Sequence, residues 1–317
     1  MSGSGGGSSR SLRLATRGSP LALAQARIVS DLIRAAGDGS ETELVVVETA
    51  GDQRQSVPIH QVGGQGIFVK EVEAAVLDGR ADAAIHSAKD LPASGPGSAS
   101  GDDPLRIVAV PERSDPRDAL VGSALAALAP GARVATGSVR RRAQLAWLRP
   151  DLMFCELRGN IATRMSKVPD GGSIVVAMAA LVRLGLSGDA AEVLSVATML
   201  PQVGQGTIAV CARPDDERAA SLLGPVEHGP SRVALDAERA YLAGIGGGCD
   251  LPVGAYATVT EGGSIELEAM IASLDGHVIV REAARGDEPH ALGAELARHV
   301  LDEAGGRALM SSFGVSP

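Results

Sequence analysis

Residues 81–92 have the sequence ADAAIHSAKDLP. The apolar residues 83–85 predict a short buried strand, and the polar segment that follows, closed by Pro92, predicts an abrupt exit from a sheet. In an open α/β sheet the carboxyl ends of the strands border the ligand crevice, which would place Lys89 and Asp90 against a ligand. The alternative is an ordinary strand-to-loop exit with solvated charges. Lysine is scarce in this chain, which makes a merely solvated lysine here less expected; the lysines are Lys70, Lys89 and Lys167.

Strand and helix patterns alternate on the N-terminal side of this segment. Strands are predicted at residues 12–16 and 44–47, a helix at about 20–33, and a second helix that ends at Gly79. The run LVVV at residues 44–47 is typical of a strand buried on both faces. The order strand, helix, strand, helix, strand predicts an α/β domain with a largely parallel sheet.

The same pattern recurs on the C-terminal side, without detectable repetition of sequence. Short strands are predicted at residues 134–135, 153–157, 174–177 and 207–211, and most of them are followed by helices. The last part of the chain differs, because a helix over residues 231–242 leads into three strand-like segments and a final helix. That order predicts a smaller α+β domain.

Length and composition restrict the class of protein. A chain of 317 residues is longer than one core usually supports, which predicts two or three domains. The net charge of −9 argues against a nucleic-acid-binding protein, and no apolar run is long enough for a membrane span. The Gly/Ser-rich N-terminus lacks the apolar core of a signal peptide. The three cysteines are widely spaced, which predicts a reducing compartment. The histidines lack the spacing of metal ligands, which predicts no metal site. We therefore expect a soluble, cytoplasmic protein.

Several arginines share one topological position. Each lies at or just beyond a predicted strand end, close to the start of a helix, where free N–H groups and the helix dipole already favour anions. Arginine adds a fork that matches carboxylate or phosphate. The alternative is that arginine serves solubility because lysine is scarce, but the shared position favours an anion pocket. The set comprises Arg17, Arg140, Arg141, Arg158 and Arg164.

Cys249 is a candidate for a modified or nucleophilic cysteine. It follows three glycines, which leave the thiol uncrowded. Cys155 and Cys211 lie in apolar strand patterns and are expected to be buried and inert. The glycine-rich segment 63–66 lacks the features of a dinucleotide-binding loop, so a flexible lid is the better interpretation.

Together these stretches resemble the porphobilinogen deaminase (hydroxymethylbilane synthase) family. The resemblance runs from about residue 12 to the C-terminus, and the family blocks occur in one order. The blocks are LATRGSPLAL (14–23), GIFVKE (66–71), AIHSAKDLP (84–92), SVRR (138–141), LRGNIATR (157–164), VGQG (203–206) and GGC (247–249).

The resemblance implies two hinged α/β domains of the periplasmic-binding-protein kind and a smaller C-terminal α+β domain. It implies a transferase that deaminates and polymerises four porphobilinogen molecules on one covalently bound dipyrromethane and releases hydroxymethylbilane. The implied partner is porphobilinogen alone, without nucleic acid or membrane, and the implied state is a monomer. The expected division is a disordered tail (1–11), domain 1 (12–110 and 204–226), domain 2 (111–203) and domain 3 (227–317).

The resemblance also implies the roles of individual residues. Asp90 would be the catalytic carboxylate, and Cys249 would hold the dipyrromethane through a thioether. The cofactor would be bound by Ser87, Lys89, Ser138, Arg140, Arg141, Arg158, Gly159 and Arg164. Substrate would be bound by Arg17, Ser19, Phe68, Arg183 and Gln205.

Some positions depart from the family pattern. Gln61 and Gln65 stand where many members have lysine, which reduces the charge of the expected lid, and Asp250 makes the segment beside Cys249 more acidic. Two rival interpretations stay open. A non-catalytic, two-lobed carboxylate-binding protein shares the fold but needs neither Cys249 nor Asp90. A cysteine-nucleophile acyl transferase would need a general base that the sequence does not place near the cysteine.

Overall fold

The computed structural model describes residues 11–37, 41–48, 69–93, 103–246 and 251–313. In these ranges the strands are β1 (Leu12–Arg17), β2 (Thr42–Val47), β3 (Ala83–Ser87), β4 (Arg106–Ala109), β5 (Asp118–Gly122), β6 (Arg133–Ala135), β7 (Met153–Cys155), β8 (Ser173–Ala177), β9 (Glu192–Leu194), β10 (Ile208–Ala212), β11 (Val253–Val259), β12 (Ile265–Ala272) and β13 (Ile279–Gly286). The helices are α1 (Pro20–Ala35), α2 (Lys70–Leu77), α3 (Val139–Leu148), α4 (Ile161–Met165), α5 (Met178–Arg183), α6 (Glu217–Leu223), α7 (Gly229–Ile245), α8 (Pro289–Asp302) and α9 (Gly306–Ser312).

Two of the sheets share one strand pattern. The first has the order β2-β1-β3-β10-β4 and the second has the order β7-β6-β8-β5-β9. In each sheet three neighbouring strands are parallel, and the fourth strand is antiparallel to both of its neighbours. The third sheet is an antiparallel meander, β11-β12-β13. The predicted fold class, two α/β domains and a smaller C-terminal α+β domain, is confirmed by these three sheets.

The antiparallel strands β10 and β5 follow from how the chain crosses between the two larger sheets. Residues 110–117 lead from β4 to β5, and residues 195–207 lead from β9 back to β10. We call these two stretches the crossing segments. Each delivers its strand directly into the other sheet, without the helical crossover that a parallel strand requires. The prediction of largely parallel sheets was therefore only partly right.

The third sheet owes its stability to a separate core. Helices α7 and α8 pack on one face of it, where Tyr241, Ile245, Leu267 and Val300 are completely buried. The opposite face contacts α3 through a small apolar cluster that includes Ala143 and Met270. Helix α3, which begins with the two consecutive arginines of the SVRR block, is thus held between the second and third sheets.

Two expectations about burial were wrong. The segment 44–47 is not buried on both faces: β2 pairs with β1 alone within the described residues, and Val46 is 54% exposed. Cys155 is likewise exposed, because it ends β7 at the edge of the second sheet. Cys211, in the interior strand β10, is completely buried as expected, and burial raises the pKa of its thiol. The apolar character of both segments is visible in the sequence, but the position of a strand within its sheet is not.

No helix within the described ranges is long and apolar enough to cross a membrane. The domain boundaries predicted from the sequence stay a prediction. Several predicted features lie outside the described residues: the N-terminal tail up to residue 10, the segment 63–66, Gln61, Gln65, Phe68, Cys249 and Asp250.

Candidate functional site

Lys89 and Asp90 lie at the carboxyl end of β3, where the sequence places them. The strand ends at Ser87 and a short 3₁₀ turn, Ala88–Asp90, follows. The second crossing segment packs closely against this turn: the N–H of Ala88 donates to the carbonyl of Thr207 at 3.0 Å. Gly204 has a φ of +70°, and a Cβ there would lie 3.0 Å from that of Ala88, so this close approach requires glycine.

The amino group of Lys89 lies in a largely enclosed site. Its Nζ donates to Oε1 of Gln205 at 3.4 Å. Burial and the nearby charge of Arg141 lower the pKa of Lys89 to about 8, although Asp90 and Asp118 act in the opposite direction. The lysine therefore changes its charge close to neutral pH.

The first turn of α3 directs two arginines into the interior. Ser138 caps the helix by accepting from the backbone N–H of Arg141 at 3.4 Å. Nη2 of Arg140 donates to Oδ2 of Asp118 at 2.8 Å, and Nη2 of Arg141 lies 2.7 Å from Oδ1 of the same carboxylate. Carbonyl oxygens of Leu200 and Val175 accept from the remaining terminal nitrogens of the two arginines.

Asp118 is a site residue that sequence analysis missed. It begins β5 and is completely buried. Burial alone raises the pKa of this carboxyl, but the charges of Arg140 and Arg141 lower it to about 2 overall, so Asp118 stays ionised. The sequence did contain a signal for it: Asp118 is the first residue of an otherwise apolar strand, and a charge buried there needs a partner of opposite charge.

Gln205 joins this cluster from the second crossing segment. Its amide nitrogen donates to Oδ1 of Asp118 at 2.9 Å and to the carbonyl of Pro116 at 2.8 Å. Its amide oxygen accepts from Arg141 and Lys89, both at 3.4 Å. Gln205 is completely buried, and both ends of its amide contact protein groups. Its assignment to substrate binding stays a prediction.

Arg164 extends the cationic region along the second sheet. Its Nε donates to the carbonyl of Gly159 at 2.8 Å, in the turn that precedes α4. Burial and the charge of Arg141 lower the pKa of Arg164 to about 10, while Asp90 acts in the opposite direction, so the groups share one electrostatic environment. Gly159 has a φ of +113°, and a Cβ there would lie 2.7 Å from Thr163, which restricts this position to glycine.

Arg158 and Arg183 differ in their surroundings. The side chain of Arg158 is 28% exposed and lies 4.0 Å from the carboxylate of Glu156, so it is accessible to a ligand. Nη2 of Arg183 donates to the carbonyl of Gly206 at 2.7 Å in the second crossing segment, and burial lowers its pKa to about 10.

The remaining predicted residues lie at the strand ends of the first sheet. Arg17 ends β1, and Ser19 caps α1 by accepting from the N–H of Ala22 at 3.3 Å. The hydroxyl of Ser87 donates to Gln25 at 3.2 Å and accepts from its amide at 2.8 Å. The hydroxyl of Ser87 therefore already has a protein partner.

A cleft opens where the three sheets meet. Part of it is open to solvent. Helix α7 ends at Ile245, and Gly246 adopts a φ of +72° before the segment 247–250, which lies outside the described residues. Cys249 stands two residues before Leu251, a lining residue. The cleft is lined by Ala88, Lys89, Leu91, Ser138, Arg140, Gln202, Val203, Leu242, Leu251 and Val253.

Cations of the cleft make it a candidate anion site. Across the described ranges, no group of three or more His, Cys, Asp or Glu side chains could hold a metal ion. Lys89 and Arg140 line the cleft itself, and Arg141 contacts the same buried carboxylate as Arg140.

Comparison with known proteins identifies the family. A sequence model described as "Porphobilinogen deaminase, dipyromethane cofactor binding domain" matches residues 12–221. The chain belongs to the porphobilinogen deaminase family. A second model, the C-terminal domain of porphobilinogen deaminase, matches residues 233–302. The predictions of the family and of a dipyrromethane cofactor are confirmed.

Named relatives cover nearly the whole chain. The porphobilinogen deaminase of Roseiflexus sp. (strain RS-1) is 45% identical over 309 residues, covering 95% of this chain and 99% of the relative. The porphobilinogen deaminase of Nitratidesulfovibrio vulgaris is 41% identical over 316 residues, covering 96% and 98%. Among solved structures, the methionine binding protein MetQ aligns at 12% identity with a TM-score of 0.42, covering 70% of this chain and 91% of that protein.

Proposed function

We propose that the cleft between the three sheets is the site at which this transferase acts. Its reaction joins four porphobilinogen molecules head to tail on a covalently bound dipyrromethane and releases hydroxymethylbilane. The observation that carries the proposal is the cluster of Lys89, Arg140 and Arg141 beside the chain that leads to Cys249. Each pyrrole ring of the substrate carries two carboxylates, which require such cations.

The residues of the cleft fit a dipyrromethane. The cations around Asp118 outnumber its single charge, so the cluster retains positive charge for a polyanionic group. Within the described residues, the buried Nε of Arg140 has no hydrogen-bond partner, which leaves a donor for a ligand. Arg158 is partly exposed and adds a further fork for carboxylate. When bound, the dipyrromethane supplies the primer to which substrate units are added.

The assignments of individual residues follow the resemblance. We propose that Cys249 holds the dipyrromethane by a thioether and that Ser87, Lys89, Ser138, Arg140, Arg141, Arg158, Gly159 and Arg164 surround it. We propose that substrate contacts Arg17, Ser19, Phe68, Arg183 and Gln205. What supports the set from Ser87 to Arg164 is that its members lie at the carboxyl ends of strands of the two larger sheets, or in the turns and helices that directly follow those strands.

Asp90 is proposed as the catalytic carboxylate. Loss of ammonia from porphobilinogen creates positive charge beside a pyrrole ring, and a fixed carboxylate stabilises this charge more in the transition state than in the ground state. Asp90 lies in the turn after β3 and within electrostatic range of both Lys89 and Arg164. Both cations belong to the set proposed to hold the dipyrromethane, so the growing end of the primer would lie close to Asp90.

Intact-mass measurement of the purified protein tests the proposal. The wild-type mass should exceed that of the bare chain by one dipyrromethane, and Cys249→Ala should remove the difference. Cys155→Ala is the matched control, because it makes the same chemical change at an exposed thiol on the edge strand β7. A wild-type protein that forms hydroxymethylbilane and yet has the mass of the bare chain would refute the role of Cys249.

We also propose that the protein works in the cytoplasm as a monomer and binds no nucleic acid. The net charge of −9 supports the last point, because nucleic-acid-binding surfaces are basic. Light scattering at micromolar concentration should give the mass of one chain, and a dimer mass would contradict this.

A further inference from the structure

Asp118 holds two arginines in fixed positions before any ligand binds. Its Oδ1 accepts from Nε of Arg141 at 3.0 Å and from the amide of Gln205 at 2.9 Å, and its Oδ2 accepts from Arg140 at 2.8 Å. All four side chains are buried, so water does not weaken these bonds. An arginine side chain loses much rotamer freedom when it is fixed, and here that loss occurs on folding rather than on ligand binding.

The cluster is a poor choice for stability alone. Burying an ion pair removes hydration from both charges, and apolar residues of similar volume often stabilise a core as well or better. This cluster moreover contains two cations for one anion, with the amino group of Lys89 linked to it through Gln205. The arrangement is better suited to presenting cations than to stabilising the fold.

The charge of Lys89 depends on the same carboxylate. The charged groups around it are Arg140 and Arg141 from α3, Asp118 from β5, and Asp90 from its own turn. The arginines disfavour the protonated amine and the two carboxylates favour it. Of the two carboxylates, Asp118 is the one that is completely buried.

We propose that Asp118 is a positioning residue for the carboxylate site, since it aligns Arg140 and Arg141 and keeps Lys89 charged. This inference rests on the proposed function for the identity of the ligand. It extends that function, because Asp118 would contact neither substrate nor cofactor and would act only through Arg140, Arg141 and Lys89.

The experiment uses the full-length apoprotein as wild type, Asp118→Asn, Asp118→Glu and Asp115→Asn. Asp115→Asn is the matched control: it makes the same chemical change three residues earlier, in an ion pair with Arg117 at the surface. The first measurement is the rate at which the apoprotein takes up added hydroxymethylbilane, whose hydroxyl leaves as water when the thiol bonds to it; intact mass follows this attachment. The second is the pH midpoint of acetylation at Lys89, which peptide mass spectrometry resolves because the chain has only three lysines.

For Asp118→Asn we expect attachment to slow by about tenfold to a hundredfold, the usual effect of losing hydrogen bonds to a charged group. The midpoint of Lys89 should fall by on the order of one pH unit, because a neighbouring negative charge is lost. Asp118→Glu should slow attachment but keep the midpoint, since the charge remains and its position changes. Asp115→Asn should change neither.

Wild-type attachment and midpoint in folded Asp118→Asn would overturn the proposal. If Asp118→Asn does not fold, Asp118→Glu decides: attachment at the wild-type rate by this variant overturns the proposal. A wild-type protein that takes up no hydroxymethylbilane contradicts the proposed function instead. The Lys89 midpoints still test the influence of Asp118 in that case.

Discussion

The carboxylate of Glu238 connects the third sheet to both crossing segments, and its loss should destabilise the whole protein. Glu238 lies on α7 and is completely buried. It forms an ion pair with Arg113 of the first crossing segment and accepts from the N–H of Gly204, in the second, at 2.7 Å. It also accepts from the N–H of Ala257 in β11 at 2.9 Å.

The substitution Glu238→Gln keeps the shape but removes the charge and one acceptor. The amide NH₂ cannot accept a hydrogen bond. Depending on which oxygen it replaces, either Gly204 loses its acceptor or Arg113 and Ala257 lose theirs. In both cases Arg113, whose side chain is only 11% exposed, is left without its counter-ion. Removing one partner of a buried ion pair costs about 3–5 kcal/mol. If the chain unfolds cooperatively, the unfolding entropy expected for its length converts this into a fall in Tm of about 5–8 °C.

Differential scanning calorimetry measures this difference directly. The control is Glu303→Gln, which breaks an ion pair with Arg298 in which both side chains are more than half exposed. Exposed pairs contribute about 0–1 kcal/mol, so the control should lower Tm by less than about 2 °C. A Glu238→Gln protein that melts within about 1 °C of wild type would refute the view that this carboxylate couples the three sheets.

Three further predictions concern activity. Asp90→Asn should fold and still accept cofactor from preformed tetrapyrrole, but its rate of ammonia release in single-turnover assays should fall by several orders of magnitude. Asp90→Glu should retain a trace of this activity. Near-normal ammonia release by Asp90→Asn would remove Asp90 from the mechanism. Arg158→Leu should reduce kcat/KM about tenfold to a hundredfold, as expected for lost charge-assisted hydrogen bonds, whereas Arg34→Leu, at an exposed surface pair, should not. Because the pKa of Lys89 is lowered to about 8, its charge is present below that pH and lost above it, so apoprotein should attach dipyrromethane more slowly as pH rises through 8. Lys89→Arg should flatten this pH profile, and an unchanged alkaline decline in that variant would assign the decline to another group.

The sequence by itself determined the local structure around the site and the family. Ser19 and Pro20 mark the start of α1, Gly79 follows the end of α2, and the charges after β3 stand in the turn that the pattern predicts. Caps, turns and periodicity act between residues a few positions apart, so they are visible in the order of residues. The family blocks are equally local, which is why the cofactor and the transferase class could be expected before the fold was known.

Only the tertiary structure decided which charges meet. Asp118 is 22 residues from Arg140 and 87 residues from Gln205 in the sequence, and Arg113 is 125 residues from Glu238. No local pattern relates positions so far apart, and each pairing arises because the two crossing segments and α3 converge beside the third sheet. The same reason explains why β2 and Cys155 were wrongly predicted to be buried. The exposure of a strand depends on which strands and layers the rest of the chain places next to it.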